Sequence, residues 1–365
     1  VSVHAQRIES LRSVVRDAEV DGLLVADVAN VSWLTGFRGD SSWAIVTEEE
    51  AWLITDGRYT EQAAAEAAQC EIVLRKDGIE AKTAEVAGQA GIKTLGFSPT
   101  AFTVAQHGTL DKAFDGGELV EKKGLVAKLR EVKDEGEIDL IRQANAAAEA
   151  GFQAMCRQLA AGKTEREIAI LLEYEMGIAG ARKPSFDSIV AARARSSLCH
   201  AESTDAVIGE GDTVLVDWGA WRDLYVSDCT RTVFLEQPDD KWCEVYQIVL
   251  AAQEKAIAAA VQGARLADVD GAARSHIADA GYGDAFCHGL GHGVGMRVHE
   301  GPNFSAKAEG TLAVGNVMTV EPGIYLPGWG GVRIEDIIIV REDGAEVMTT
   351  LPKDLDAMIL SQREE

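Results

Sequence analysis

The amino-acid sequence predicts an α+β protein: an amino-terminal α/β domain followed by a duplicated domain of paired helices and long antiparallel strands. Three observations predict it. Over residues 1–124, short β-branched runs alternate with helix-period segments. A highly charged stretch, EKKGLVAKLREVKDEGEIDL (121–140), then breaks the pattern. Beyond it, two helix-period segments precede apolar strand-like runs that each carry an acidic residue, and the same order recurs once more.

Taken in order, an amphipathic helix at about 5–18 leads into DGLLVAD (21–27), SSWAIVT (41–47) and AWLITD (51–56), which read as strands. An Ala-rich helix (59–69), the strand CEIVLR (70–75) and further αβ units to about 120 complete the first domain, 1–124. The second, 125–365, opens on a linker helix at about 125–150, with the boundary near 124–134. Thr164 and Glu167 form a capping box for the next helix, because the hydroxyl and the carboxylate can each satisfy a backbone N–H at its start. Helices at about 136–160 and 165–179 precede one acidic hairpin, and helices at about 240–262 and 266–280 precede a His-rich loop and a second hairpin. A pseudo-twofold duplicated domain, with its site between the halves, follows from that repetition.

Composition narrows the function. The 365 residues carry 59 acidic against 35 basic side chains, a formal net charge of −24. Nucleic-acid phosphates would be repelled by such a field. No apolar run approaches the roughly 20 residues that span a bilayer, and the amphipathic start is not a secretory signal. Six cysteines show neither CxxC nor disulfide-scaffold spacing, which predicts a cytoplasmic, reducing environment. Three of them, Cys199, Cys229 and Cys287, neighbour candidate site residues and are expected to sit behind the site as small hydrophobes. The sequence starts at Val1, which leaves open whether an initiator methionine or a leader preceded it.

The chemistry concentrates in the two hairpins. VLVDWGAW (214–221) and LYVSDCTRTVF (224–234) flank Arg222 and Asp223, a two-residue turn. If Trp221 pairs with Leu224, Asp217 lies opposite Asp228, with Cβ atoms roughly 4.5–5.5 Å apart. Two carboxylates that close repel unless a cation sits between them. VMTVEPGIYL (317–326) and GVRIEDIIIV (331–340) repeat the arrangement, and counting about Gly328 brings Glu321 opposite Glu335. Between the hairpins, HGLGHGVGMRVHE (288–300) supplies three of the chain's seven histidines. Imidazole and carboxylate together suit Mn, Co, Fe or Zn better than the all-oxygen shells of Ca or Mg. An isolated acidic pair is ordinarily an exposed strand edge, but carboxylates in apolar strands are costly to bury without a counter-charge.

These motifs resemble a known family. WLTGF (33–37), LITDGRYTEQA (53–63), VAKLREVKDEGEIDLIRQA (126–144), FDSIVA (186–191), VDWGA, SDCTRT, HGLGHGVG, VHEGP, VEPGIY and RIEDI match, in kind and order, the pita-bread metallopeptidases. That family includes Xaa-Pro aminopeptidase, prolidase, methionine aminopeptidase and creatinase. The resemblance implies a creatinase-like amino-terminal domain and a pita-bread catalytic domain with a curved antiparallel sheet. It implies two divalent metal ions, with Mn favoured over Co, Zn or Fe. Asp217 would serve one ion, His292 and Glu321 the other, and Asp228 and Glu335 would bridge both. His200, His288 and His299 match histidines that contact substrate or stabilise the tetrahedral intermediate, Arg333 matches a buttress of the bridging carboxylates, and Glu321 is the expected proton carrier. A solvent bridging the two ions would have its pKa lowered from about 15.7 toward neutrality, giving the attacking hydroxide.

The implied activity is removal of an amino-terminal residue from Xaa-Pro peptides, with free Xaa-Pro dipeptide cleavage as the alternative and a metal-free peptide-binding relative as a remote one. The extra amino-terminal domain argues against methionine aminopeptidase, and the full ligand set against creatinase. The stretch RARSSLCHAESTD (193–205) departs from the family pattern at a loop that frames the substrate pocket. Arg38, Arg193 and Arg195 are candidate binders of a substrate carboxylate. A proline-containing peptide is the expected partner, with a homo-oligomer, dimer or tetramer, as the expected assembly.

Overall fold

The computed structural model describes residues 2–362; Val1 and residues 363–365 lie outside the description. The chain divides into two compact units at Arg130/Glu131. In the first, six strands lie in the order Glu71–Arg75, Ala51–Asp56, Trp43–Thr47, Gly22–Val25, Thr94–Phe97, Glu118–Glu121. The central strands pair antiparallel and the flanking ones parallel. The parallel connections run through the helices Thr60–Glu66, Ile79–Gln89 and Val104–Ala113. Gly22–Val25 is buried at every position rather than at alternate ones, as expected for a strand covered on both faces.

Where the sequence predicts one linker helix over about 125–150, the chain forms two, Leu125–Leu129 and Glu135–Cys156. The break has a local cause. The Asp134 carboxylate accepts from the Glu137 N–H, and the Glu137 side chain accepts from the Asp134 N–H, so this pair starts a new helix.

In the second unit, Glu135–Cys156 buries the stripe Ile138, Ile141, Ala144, Ala148, Phe152 and Met155, a helical period that faces the core. It packs against Glu165–Ile178, whose start is the Thr164/Glu167 capping box. Beneath this pair lies an antiparallel sheet ordered Cys229–Phe234, Thr213–Trp218, Ile189–Ala192. Strand alternation decides which side chains face the helices. Val214, Val216 and Trp218 join the helix-covered core, whereas Leu215 packs with Ile189 and Ala191 on the other face, which Asp217 shares. Trp218 is anchored by stacking on Phe152 at 4.3 Å and by donating from Nε1 to the Ala148 carbonyl at 2.9 Å. Such an aromatic pair contributes about 0.5–1.5 kcal/mol beyond its buried area.

The helix pair Asp240–Ala259 and Leu266–Asp279 packs on a second antiparallel sheet, ordered Glu300–Phe304, Gly291–Gly293, Val317–Val320, Asp336–Arg341, Gly344–Val347. The two sheets meet along Cys229–Phe234. There the Glu335 N–H donates to the Thr230 carbonyl at 3.1 Å and the Thr232 hydroxyl to the Arg333 carbonyl at 3.1 Å. That junction brings the two acidic hairpins side by side.

Candidate metal centre

The first hairpin differs in register from the sequence expectation. Its turn lies at Asp223–Leu224, both at positive φ, and Arg222 rather than Trp221 is the last paired residue, opposite Tyr225. A leucine in the left-handed region is uncommon, so nothing in the sequence pointed to that turn. Asp217 therefore faces Thr230 instead of Asp228. The slip is two residues, and because strand side chains alternate with a period of two, an even slip keeps both carboxylates on one face. They become diagonal neighbours. Between them the strand bends at Gly219, where a Cβ would lie 2.0 Å from the Ser227 carbonyl oxygen; only glycine fits.

The second hairpin follows the expected register. Val320 pairs with Asp336 and Gly323 with Arg333, which brings Glu321 opposite Glu335. The strand Gly291–Gly293 presents His292 to the same place, with Gly291 so close to Thr319 that a Cβ would meet its carbonyl oxygen at 2.1 Å. His292 Nε2 lies 3.1 Å from Glu321 Oε1 and 3.6 Å from Asp228 Oδ2, while its Nδ1 donates to the Gly293 carbonyl at 3.2 Å. That bond fixes the ring and leaves Nε2 for a ligand. Asp228, His292 and Glu335 offer ligand atoms within 4.8 Å of one another.

The electrostatics of this cluster are those of a site built for positive charge. Burial, reinforced by the charges of Glu335, Asp217 and Glu321, pushes the Asp228 carboxyl well above its ordinary range. Glu335 is raised likewise by burial and by Glu321 and Asp217, and Asp217 by burial and Glu321 against the pull of Arg333. Glu321 goes the other way. Burial opposes its ionisation, but the hydrogen bond and charge of His292, with His288 and Arg333, hold it at about 2. Among the described residues, Asp217 Oδ1 and Glu335 Oε1 are buried without a hydrogen-bond partner. Each orphaned carboxylate oxygen costs free energy unless a cation meets it. The donor set of four carboxylates and one imidazole fits divalent transition ions.

A cleft of about 910 Å³ opens over the cluster, lined by the nine residues expected as ligands or catalytic groups, Asp217, Asp228, His292, Glu321, Glu335, His200, His288, His299 and Arg333, but not by Arg38. His200 and His299 are exposed in its wall, and the His299 ring meets His292 edge-on at 4.3 Å. Burial lowers the pKa of His299, as does the charge of His292. Burial also lowers that of His288, whose Nδ1 donates to the Gly289 carbonyl at 2.7 Å and whose Nε2 accepts from the Tyr325 hydroxyl at 2.9 Å. Arg193 and Arg195 do not line the cleft. They are held by Asp212 and Glu165.

Arg333, expected from the sequence, acts through Thr230 and Tyr325, which with Thr319 and Arg231 are absent from the sequence expectations. Arg333 donates to Asp217 Oδ2 at 2.6 Å, to the Thr230 hydroxyl at 3.0 Å and to the Tyr325 hydroxyl at 2.7 Å. The Thr230 hydroxyl in turn donates to Glu335 Oε2 at 2.7 Å. Thr319 accepts from the His292 N–H at 3.0 Å and donates to Glu321 Oε1 at 3.1 Å. On the opposite face, the buried Arg231 guanidinium clamps the strand by donating to the Glu335 carbonyl and to Asp336 Oδ1. Strand parity was the available clue: Thr230 and Thr319 lie two residues from Asp228 and Glu321 and share their faces.

Residues 139–342 match the model of metallopeptidase family M24, and residues 7–132 match the creatinase/prolidase N-terminal domain. The chain belongs to metallopeptidase family M24. Membership implies divalent metal ions, and the Xaa-Pro dipeptidases among the relatives and solved structures that match nearly the whole chain indicate a metallo-exopeptidase. It is 36% identical over 354 residues to the Xaa-Pro dipeptidase of Pyrococcus furiosus, covering 96% of this chain and 99% of that one. Among solved structures, it superposes on an Xaa-Pro dipeptidase from Bacillus anthracis with a TM-score of 0.94, at 38% identity over 96% of this chain and 99% of the other. The X-Pro aminopeptidase from Thermotoga maritima gives a TM-score of 0.88 at 38% identity, covering 95% and 99%. The mixed α/β architecture of the M24 prolidase branch, with its creatinase-like amino-terminal unit, is therefore that of this chain.

Proposed function

We propose that this M24 protein is an Xaa-Pro dipeptidase that holds two divalent cations, Mn(II) by preference, with Asp217, Asp228, His292, Glu321 and Glu335. Asp228 and Glu335 would serve both ions. The observation that carries it is the convergence of buried, unsatisfied carboxylate oxygens at the floor of one open cleft. Preferring the dipeptidase reverses the lean of the sequence reading toward aminopeptidase. What supports the change is the number of relatives described as Xaa-Pro dipeptidases or prolidases along nearly the whole chain.

Bound cations would supply a Lewis acid for the scissile carbonyl and acidify a coordinated water. The chain's own groups do the rest. Glu321, kept ionised by His292, is the acceptor for a proton and delivers it to the departing proline nitrogen. Arg333 fixes Asp217 and, through Thr230, Glu335, so that neither carboxylate rotates as charge develops. His288, neutral and held at Nδ1 by the Gly289 carbonyl and at Nε2 by Tyr325, shapes the wall of the cleft, and His299 and His200 are placed to donate to the substrate. In the same reading the protein works in a reducing cytosol as a homo-oligomer, with its six cysteines reduced. Among the described residues, no helix is long and apolar enough to cross a membrane.

One observation favours the aminopeptidase as a second reading. Among the described residues lining the cleft, the only cations besides histidine are Arg166, which pairs with Asp205, and Arg333, which is committed to Asp217. A free proline carboxylate therefore meets no cation reserved for it here. Comparing a free Xaa-Pro dipeptide with the matching Xaa-Pro-Yaa tripeptide decides between them. Cleavage confined to the dipeptide is expected, and cleavage confined to the tripeptide would overturn the proposal. His299→Ala should lower kcat by about 10²-fold while metal content, measured by elemental analysis, is unchanged, because this ring reaches substrate rather than cation.

A further inference from the structure

The expectation that all three site-adjacent cysteines lie behind the site holds for Cys229, which is buried in the core, and fails for the other two. Strand alternation hides a neighbour only on a strand, and neither Cys199 nor Cys287 is in one. Cys199 lines the catalytic cleft just before His200, Cys287 is exposed just before His288, and their sulfurs lie 3.5 Å apart. From this contact we propose that Cys199 and Cys287 form a thiol modification site at the rim of the catalytic cleft, which a hydroperoxide converts into an intramolecular disulfide.

The step is short in geometry and balanced in chemistry. Closing the bond needs the sulfurs to move from 3.5 Å to roughly 2.0 Å, between two residues that no strand ladder holds. Cys287 Sγ, the exposed thiol, attacks the terminal oxygen of the hydroperoxide; the O–O bond breaks, and the alcohol leaves with the thiol proton. The resulting sulfenic acid faces Cys199 Sγ, which attacks its sulfur; the S–S bond forms, the S–O bond breaks, and water leaves with the second thiol proton. Two thiols and one hydroperoxide thus give one disulfide, one alcohol and one water. Proximity makes this internal step faster than further oxidation of Cys287.

Bridging would act on the site through the backbone of both loops. The Cys199 carbonyl accepts from Arg333 Nη1 at 3.4 Å, and Arg333 also holds Asp217 and Tyr325. On the other side, Arg274 clamps the carbonyls of Phe286 and His288 at 3.0 and 2.7 Å, and His288 rests on that same Tyr325 hydroxyl. Drawing the loops together therefore pulls on Arg333 and His288 at once. A displacement near 1 Å in such groups costs up to about 10²-fold in rate, so oxidation should lower kcat/KM about tenfold or more.

The test treats the metal-loaded protein with stoichiometric hydrogen peroxide and maps peptides without reduction. The proposal expects a Cys199–Cys287 cross-linked peptide, loss of two hydrogens in intact mass, and activity restored by dithiothreitol. Cys199→Ser should instead leave a sulfenic acid on Cys287 that dimedone traps, and Cys287→Ser should retain activity and lose the peroxide response. Both thiols still open to alkylation, sulfinic acid on Cys287 without a cross-link, or a cross-link between two chains would overturn the site. Equal inactivation of wild type and Cys287→Ser would overturn its effect on catalysis.

Discussion

Replacing Asp228 by Asn or Glu335 by Gln abolishes turnover and divalent-cation occupancy together. Each substitution keeps the shape of the side chain and removes one negative charge from the proposed bridging pair. The loss expected is at least about 10³-fold in kcat/KM, the upper range for removing one preorganised electrostatic group, because metal retention and transition-state stabilisation fail at once. Elemental analysis of the purified variants should find the cation ratio fallen with the activity. Unfolding is not the cause. In the metal-free chain both groups are driven toward the protonated form, by burial first and then by neighbouring carboxylates. A neutral amide there should leave the metal-free protein melting no lower than the parent near neutral pH. A bridging variant that keeps full activity, or loses activity with both cations retained, would contradict the assignment.

The Asp228 and Glu335 positions also show how far sequence reasoning reaches. Counting outward from Gly328 gave the pairing of Glu321 with Glu335 correctly, because that hairpin turns through a short loop that keeps the register on both sides of the break. The same count misplaced Asp217 and Asp228 by two residues, because the turn uses Leu224 in a conformation that leucine disfavours. Yet the face survived the error. Alternation along a strand is fixed by covalent geometry, so acidic residues of the right parity stay on one side whatever turn the chain selects.

What stayed hidden was everything set by contact across the fold. Arg333 was legible as a candidate, but its grip on Thr230 and Tyr325 depends on two sheets meeting, which no local pattern encodes. Arg231, fully buried with Asp336 and the Glu335 carbonyl, reads in sequence as an ordinary strand cation. The Cys199–Cys287 contact spans 88 residues and lies in irregular segments, where neither period applies. The helices fared better because their start signals are local. Thr164/Glu167 stands out before an apolar helix, while Asp134/Glu137, the same device, sits inside a charged run that reads as continuous.

Removing the cations with a chelator lowers thermal stability, and lowers it more as pH rises. The sign follows from linkage. Asp228 and Glu335 have native pKa values above their ordinary 3.8 and 4.5, so the folded metal-free chain holds protons that the unfolded chain has released. Their contribution is fully present below the ordinary values and is lost as pH climbs through the raised ones. Asp217 acts in the same direction, and so does His292, raised from 6.5. Glu321, held at about 2, contributes above its ordinary 4.5 and loses that contribution only as pH falls toward its native value. The lowered His288 and His299 oppose the trend as pH rises toward 6.5, His299 weakly because it is exposed. Divalent cations take the place of the protons, which removes the penalty. Each pH unit of elevation is about 1.4 kcal/mol, and a unit of this size shifts by roughly 2–4 °C per kcal/mol. Melting curves of Mn-loaded and chelated protein from about pH 5 to about pH 8 should therefore diverge, by several degrees at the upper end. In the Asp228→Asn, Glu335→Gln double variant the chelated protein should lose the larger part of that slope and keep the share of Asp217 and His292. A gap that stays constant or narrows with rising pH would mean that these carboxylates do not share a buried cation site.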